Sequence, residues 1–207
     1  MEINTIGIVG TVAEAPRTHR NIYGKENVFA LWVDTLRDSG TVDRILVLYQ
    51  EDKVEAENLA AVLAPGCRIE ATGKIQTYKN MKTGRVQLFV WGLYLGAAPD
   101  SLANNVYMCG EVAKAPVYRE TPKGRRITEI MLRIPSAFTK GFYSYVPCIA
   151  WGNMADKAAE LPEGIEVYIE GRLQSREYVK RTPEGNKKMT TWEVSINKLE
   201  AGANNGN

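Results

Sequence analysis

Residues 164–178 read G-I-E-V-Y-I-E-G-R-L-Q-S-R-E-Y. In an extended chain Ile165, Val167 and Ile169 fall on one side, and Glu166, Tyr168 and Glu170 on the other. Period-two alternation with β-branched residues marks a half-buried strand. Gly171 interrupts it where a strand bends or lets another backbone come close. Beyond the glycine the pattern resumes, with Leu173 on one face, Arg172, Gln174 and Arg176 available to solvent, and Tyr178 closing the segment. The polar run K-R-T-P-E-G-N-K-K that follows reads as a hairpin tip, with a return strand through Trp192, Val194 and Ile196. A bent strand running into a basic, aromatic-bearing hairpin suits a nucleic-acid backbone and its bases; an ordinary solvated hairpin has the same pattern.

The chain repeats this design. G-T-V-A-E-A-P at residues 10–16 returns as G-E-V-A-K-A-P at residues 110–116, and Gly24 returns as Gly124. P-G-C-R-I-E-A-T-G-K-I-Q from Pro65 corresponds to P-E-G-I-E-V-Y-I-E-G-R-L-Q from Pro162, and Gly84 to Gly185. Similarity at this spacing means two copies of a domain, since solenoid repeats are far shorter. Residues 1–96 are therefore read as the first copy, 97–103 as a small-residue linker, 104–200 as the second copy and 201–207 as a disordered tail.

Within the first copy, strands are expected near 3–12, 26–35, 42–49, 67–78 and 85–95, with helical character over 51–63 stopped by Pro65-Gly66. The second copy repeats the order, with strands near 105–113, 126–135, 143–151, 165–178 and 187–199 and a short helix near 153–161. Three strands, a helix and two strands in roughly 100 residues is the order of an OB-fold, a five-stranded Greek-key barrel. The expected fold class is all-β with short helices: two tandem OB-folds.

Composition narrows the function. A chain of 207 residues with 24% charged and 44% hydrophobic residues has the make-up of a soluble globular protein. It has no apolar run of membrane-spanning length and no signal-like start, so a cytoplasmic setting is expected. Cys67, Cys109 and Cys148 suit reduced, buried thiols. With no C-x-x-C pair and His19 the single histidine, no zinc site or other cofactor is expected. A Ser/His/Asp set and a phosphate loop are both missing, so nothing points to turnover. Net charge is only +2, yet Arg119, Lys123, Arg125 and Arg126 form one basic cluster and residues 172–188 hold another.

These residues carry a resemblance. N-N-V-Y-M-C-G-E-V, Y-V-P-C-I-A-W-G, E-G-R-L-Q-S-R-E-Y and W-E-V-S-I-N-K-L-E are similar to segments of bacterial single-stranded DNA-binding proteins, and together span most of residues 104–200. The first copy resembles the family through I-G-I-V-G-T-V-A-E-A-P, V-D-R-I-L-V-L-Y and A-T-G-K-I-Q-T-Y. Tandem versions with two such folds exist in the family. The resemblance implies sequence-independent binding of single-stranded DNA in replication, recombination or repair, by a chromosomal, phage or plasmid gene product. It implies base stacking on Tyr145, Trp151 and Tyr178, with Arg172 and Arg176 beside them as phosphate contacts. In the first copy Tyr49 stands where Trp151 does, Asp43 where Tyr145 does and Asn80 where Tyr178 does, so the second copy is expected to carry more of the binding. Trp32 and Arg133, taken as equivalent outward positions on the second strands, are further contacts. Trp91 and Trp192 read as core or interface residues. An OB-fold assembly module with little DNA affinity is the competing reading.

Family members commonly assemble four OB-folds, which implies a homodimer meeting through an exposed first strand or sheet face. They usually end in an acidic tip closed by Pro-Phe that recruits other proteins. This chain ends G-A-N-N-G-N, so tail-mediated recruitment lacks the motif that carries it.

Overall fold

The computed structural model describes residues 2–56, 58–79, 84, 86–101, 103–182 and 185–202. Asn80, the hairpin tip at 183–184 and the tail at 203–207 lie outside them. The first copy comprises β1 (Asn4–Thr18), β2 (Val28–Leu36), β3 (Val42–Gln50), β4 (Glu55–Ala56), α1 (Leu59–Val62), β5 (Arg68–Lys79) and β6 (Val86–Ala97). The second comprises β7 (Asn104–Val112), β8 (Val117–Glu120), β9 (Arg126–Pro135), β10 (Tyr143–Trp151), α2 (Asn153–Ala159), β11 (Glu166–Thr182) and β12 (Gly185–Ala201).

Each copy closes into a barrel. β1 pairs with β2 and β5, β2 with β3, and β5 with β6. A short parallel contact between β3 and β6, Val47 opposite Val90, completes the ring. The second copy closes in the same way, with Cys148 of β10 opposite Val194 of β12. Alternate residues of every strand point inward, which gives interiors of Val12, Leu31, Val33, Ile45, Val47 and Ile75 in one barrel and Val112, Leu132, Ile134, Val146, Leu173 and Val194 in the other. The bend expected at Gly171 is a bulge between Glu170 and Gly171. A Cβ there would overlap the carbonyl oxygen of Ser195, so only glycine lets the two strands cross at this angle. Gly73 makes the same approach to the Trp91 carbonyl after a bulge at Thr72.

Three expectations need correction. The helix expected over 51–63 is reduced to one turn, Leu59–Val62, because Asn58 adopts a left-handed backbone (φ 49°) and makes no side-chain cap bond. Residues 55–56 pair with β6 instead. Of the cysteines, Cys148 is buried, but Cys67 and Cys109 are half-exposed.

The first strand, one of the two meeting surfaces expected (the other a sheet face), is used inside the chain. β1 and β7 pair antiparallel, with Asn4 opposite Met108, Ile6 opposite Val106 and Ile8 opposite Asn104. Ile6 and Val106 are equivalent under the hundred-residue offset, so the register is symmetric about that pair and one sheet runs through both barrels. The Asn4 amide both donates to and accepts from Ile75 at 2.9 Å. Asn104 does the same to Leu173 at 2.7 and 2.9 Å.

Candidate nucleic-acid interface

The ladders fix which residues of the two copies are equivalent. Val47 and Cys148 are matched by their parallel partners Val90 and Val194. Counting from them, Tyr145 corresponds to Arg44, Trp151 to Gln50 and Met131 to Trp32. The expected alignment was one residue out on the third strand, and a one-residue slip exchanges the faces of a strand. Tyr49 is accordingly no counterpart of Trp151. It is 3% exposed, stacks on Phe29 with ring centroids 5.7 Å apart, and burial pushes its hydroxyl up to about 12. Tyr49 is a core residue and leaves the list of contacts. Asp43 likewise matches Ser144, not Tyr145. Trp32 and Arg133 both face outward, but Arg133 corresponds to Asp34, one strand repeat away from Trp32.

In the second barrel the expected residues converge. Tyr145 and Trp151 lie an even number of residues apart on β10, and both are exposed, at 47% and 36%. β11 pairs with β12 without a register shift from Gly171 to Thr182, so Arg172, Gln174, Arg176 and Tyr178 share one face, with Tyr178 40% exposed. Trp151 stands at the meeting of both rows, in hollows lined by Arg119, Arg125, Arg126, Arg172 and Arg176 and by Arg37 of the first copy.

These cations differ in freedom. Arg176 is held by the buried Glu193, at 3.2 and 3.3 Å, with Glu129 at 3.7 Å. Arg119 pairs with Glu129, Arg126 with Asp156, and Arg133 with Glu111; Arg133 also lies 4.8 Å from the centre of the Tyr143 ring. Among the described residues no carboxylate is within ion-pair range of Arg125 or Arg172. Arg172 donates to Gln174 Oε1 at 3.4 Å, and its Nε is buried without a partner. Arg125 and Arg172 are therefore the cations beside Trp151 most open to a new anion. Arg125 was visible in sequence only as one member of a basic cluster.

The equivalent face of the first barrel is closed. Where the second barrel carries Ile149, Arg176, Glu193 and Ser195, the first carries Leu48, Tyr78, Phe89 and Trp91. These four are 0–9% exposed and form an apolar cluster with Ile22, Val28 and Leu46. Ile22 covers it from the loop after β1. Phe138, from the loop between β9 and β10, covers it from the second copy. The Phe138 ring is 5.0 Å from Tyr23 in a stack and 4.9 Å from Trp91 edge-on. The Tyr23 hydroxyl donates to the Thr77 carbonyl at 2.7 Å, and Ala137 N–H to Gln76 Oε1 at 3.1 Å.

Polar struts join the barrels. Asp43, 0% exposed, accepts both Arg37 bonds at 2.6 Å, the Ser175 N–H at 2.7 Å and the Ser175 hydroxyl at 2.9 Å. Burial works against its charge, but Arg37 and Ser175 outweigh it and hold the carboxyl below the usual carboxylate range. Arg37 also donates to the Ser175 carbonyl at 2.9 Å. The related place in the other half is Ser144, whose hydroxyl accepts from Thr77 N–H at 3.2 Å.

Fold and face together define a tandem OB-fold protein with an open aromatic, basic surface on its second barrel. Residues 103–201 match the family model of the single-strand binding protein family. Over 82 residues the chain is 32% identical to single-stranded DNA-binding protein 1 of Chlorobaculum tepidum, covering 36% of this chain and 51% of that protein. It is 30% identical over 82 residues to single-stranded DNA-binding protein 1 of Staphylococcus aureus, covering 37% and 49%. The chain thus spans about half the length of the curated relatives it matches. Crystal structures of the single-stranded DNA binding protein from Thermus aquaticus resemble it over 100% of its length. The wild type has a TM-score of 0.73 over 96% of that chain, and a deletion mutant 0.70 over 97%, both at 18% identity, a likeness of fold. The likeness to the single-strand binding protein family therefore lies in the second half of the chain.

Proposed function

We propose that the chain binds single-stranded DNA without strong sequence dependence, in DNA replication, recombination or repair within the cytoplasm. The observation that carries this reading is Trp151, exposed where two strand faces meet, in hollows lined by six arginines. An aromatic platform takes a base of any identity, because every base has a π-face, and the surrounding cations take the phosphates. Tyr145 and Tyr178 extend the stacking row; Arg125 and Arg172 are its freest phosphate contacts, with Arg176 and Arg133 secondary and Trp32 at its border. The face consists of strands and the loop at 121–125, and among the described residues it presents no helix shaped to enter a duplex groove. In this reading residues 1–96 and 104–200 are two OB-fold units joined at 97–103, and only the second presents an open face. Two chains pair to present four barrels. With β1 and β7 already paired to each other, the meeting surface is the outer sheet face that carries Tyr107 and Tyr168.

Fluorescence anisotropy with labelled oligo-dT, competed by unlabelled single strands and by duplex of the same length, tests the reading. Competition by single strands at much lower concentration than duplex is expected. Equal competition refutes it. Sedimentation at micromolar concentration tests the pairing, and a species near 23 kDa overturns it.

A further inference from the structure

A second aromatic surface lies between the barrels. Trp32 of β2 and Leu88 of β6 form one wall of a groove, and Met131, Tyr145, Pro147 and Trp192 the other. The two indole rings are in contact, with centroids 6.1 Å apart at 34°. Trp192 Nε1 donates to the Arg44 carbonyl at 2.7 Å, so an indole of the second barrel is anchored on the backbone of the first. Both tryptophans are half-buried, which leaves part of each ring open. Gln87, Thr190 and Thr191 add amide and hydroxyl groups, and no charged side chain among the described residues lines the groove.

We infer that this groove receives bases of the same single strand that lies on the β10–β11 face, so that the DNA site crosses from one barrel to the other. The inference rests on the single-stranded DNA reading above. Tyr145 supplies the continuity, because it belongs both to the stacking row on β10 and to the wall of the groove. The chemistry supplies the orientation. An uncharged groove with aromatic walls offers stacking and a few neutral hydrogen-bond groups, which suit bases and leave phosphates in solvent. The indoles already touch, so a base lies on the pair and does not slot between the rings. The groove is also what remains open of the first barrel's aromatic surface, since Tyr78, Phe89 and Trp91 are covered by Ile22 and Phe138. The first copy then contributes to binding through Trp32 at the junction and not through a face of its own.

The test uses the full chain carrying Trp32→Ala or Trp32→Phe, with labelled oligo-dT of two lengths read by anisotropy. One is about 8 nucleotides, within the span of one OB-fold, and the other roughly 30, long enough to continue across the groove. Trp32→Ala is expected to weaken the long oligomer by about five-fold to a hundred-fold, the range for one stacked base, with an unchanged salt slope. Trp32→Phe should retain most of the affinity, and the loss that Trp32→Ala causes on the short oligomer should be much smaller than its loss on the long one. Wild-type affinity of Trp32→Ala for the long oligomer overturns the inference while leaving the parent reading intact. A change in sedimentation of DNA-free Trp32→Ala also overturns it, since the groove would then seat a second copy of the chain. Wild-type protein that binds neither oligomer refutes the parent reading, and the inference with it.

Discussion

Replacing Asp43 by alanine removes the acceptor of four hydrogen bonds at once, two from Arg37 and two from Ser175. The carboxylate is fully buried, and the Arg37 side chain is 19% exposed, so water cannot readily replace what is lost. Breaking one partner of a buried pair costs about 3–5 kcal/mol, because the other is left uncompensated. For a chain of this length each kcal/mol moves the melting temperature by about 2–4 °C, so a fall of roughly 6–20 °C is expected. Asp43→Asn keeps the shape but loses the charge, and should fall between alanine and wild type. The pH dependence gives an independent check. The folded-state pKa of Asp43 is depressed, so its contribution is fully present above the unfolded aspartate value of about 4 and is lost as pH falls through the lower folded value. The stability gap between wild type and Asp43→Asn should therefore be constant near neutrality and shrink in acid. Urea and thermal unfolding across that range measure it. A loss below about 1 kcal/mol for Asp43→Ala at neutral pH would refute the claim that this strut holds the barrels together.

Tyr178→Ala should weaken oligo-dT binding by roughly 1–3 kcal/mol without altering the salt slope, whereas Arg172→Ala should make the log–log slope shallower by about 0.7. Arg176→Ala should change that slope by much less, since Glu193 and Glu129 already balance its charge; salt titrations of the three variants side by side check the order. Trp91→Phe, in the closed face of the first barrel, should leave oligo-dT affinity unchanged, and a loss comparable to that of Tyr178→Ala in a protein still folded would mean that face opens to DNA. Gly171→Ala forces a methyl against the Ser195 carbonyl and should cost roughly 1–3 kcal/mol in chemical denaturation, with Gly73→Ala behaving alike.

The barrels were legible because alternation, turn glycines and the hundred-residue repeat are properties of local sequence. Gly171 declared its bend, and the outward rows of β10 and β11 followed from parity alone. The register of the first copy was not legible. Tyr49 and Trp151 occupy similar-looking strand ends, and only the ladder partners Val90 and Val194 reveal that Tyr49 matches Ala150. Nor does sequence distinguish Leu46, Leu48, Phe89 and Trp91, which are apolar on the outer face, from the inward set, since a strand covered on both sides reads as continuous hydrophobicity. What covers that outer face, Phe138, comes from the other copy, a contact that no local pattern encodes. The same holds for the pairing of Arg176 with Glu193, which sets how much of its charge DNA can use.

The symmetric seam between β1 and β7 has a consequence for dilution. Two separate chains joined through such strands would part as their concentration fell below their dissociation constant. Here the second strand is tethered to the first by the same polypeptide, and its local concentration is set by the connecting residues, not by how much protein is present. The seam therefore persists at any abundance. Because its halves are encoded separately, a substitution in one is not copied into the other, so Phe89 can join an apolar cluster in one barrel while Glu193 pairs with Arg176 at the same place in the other.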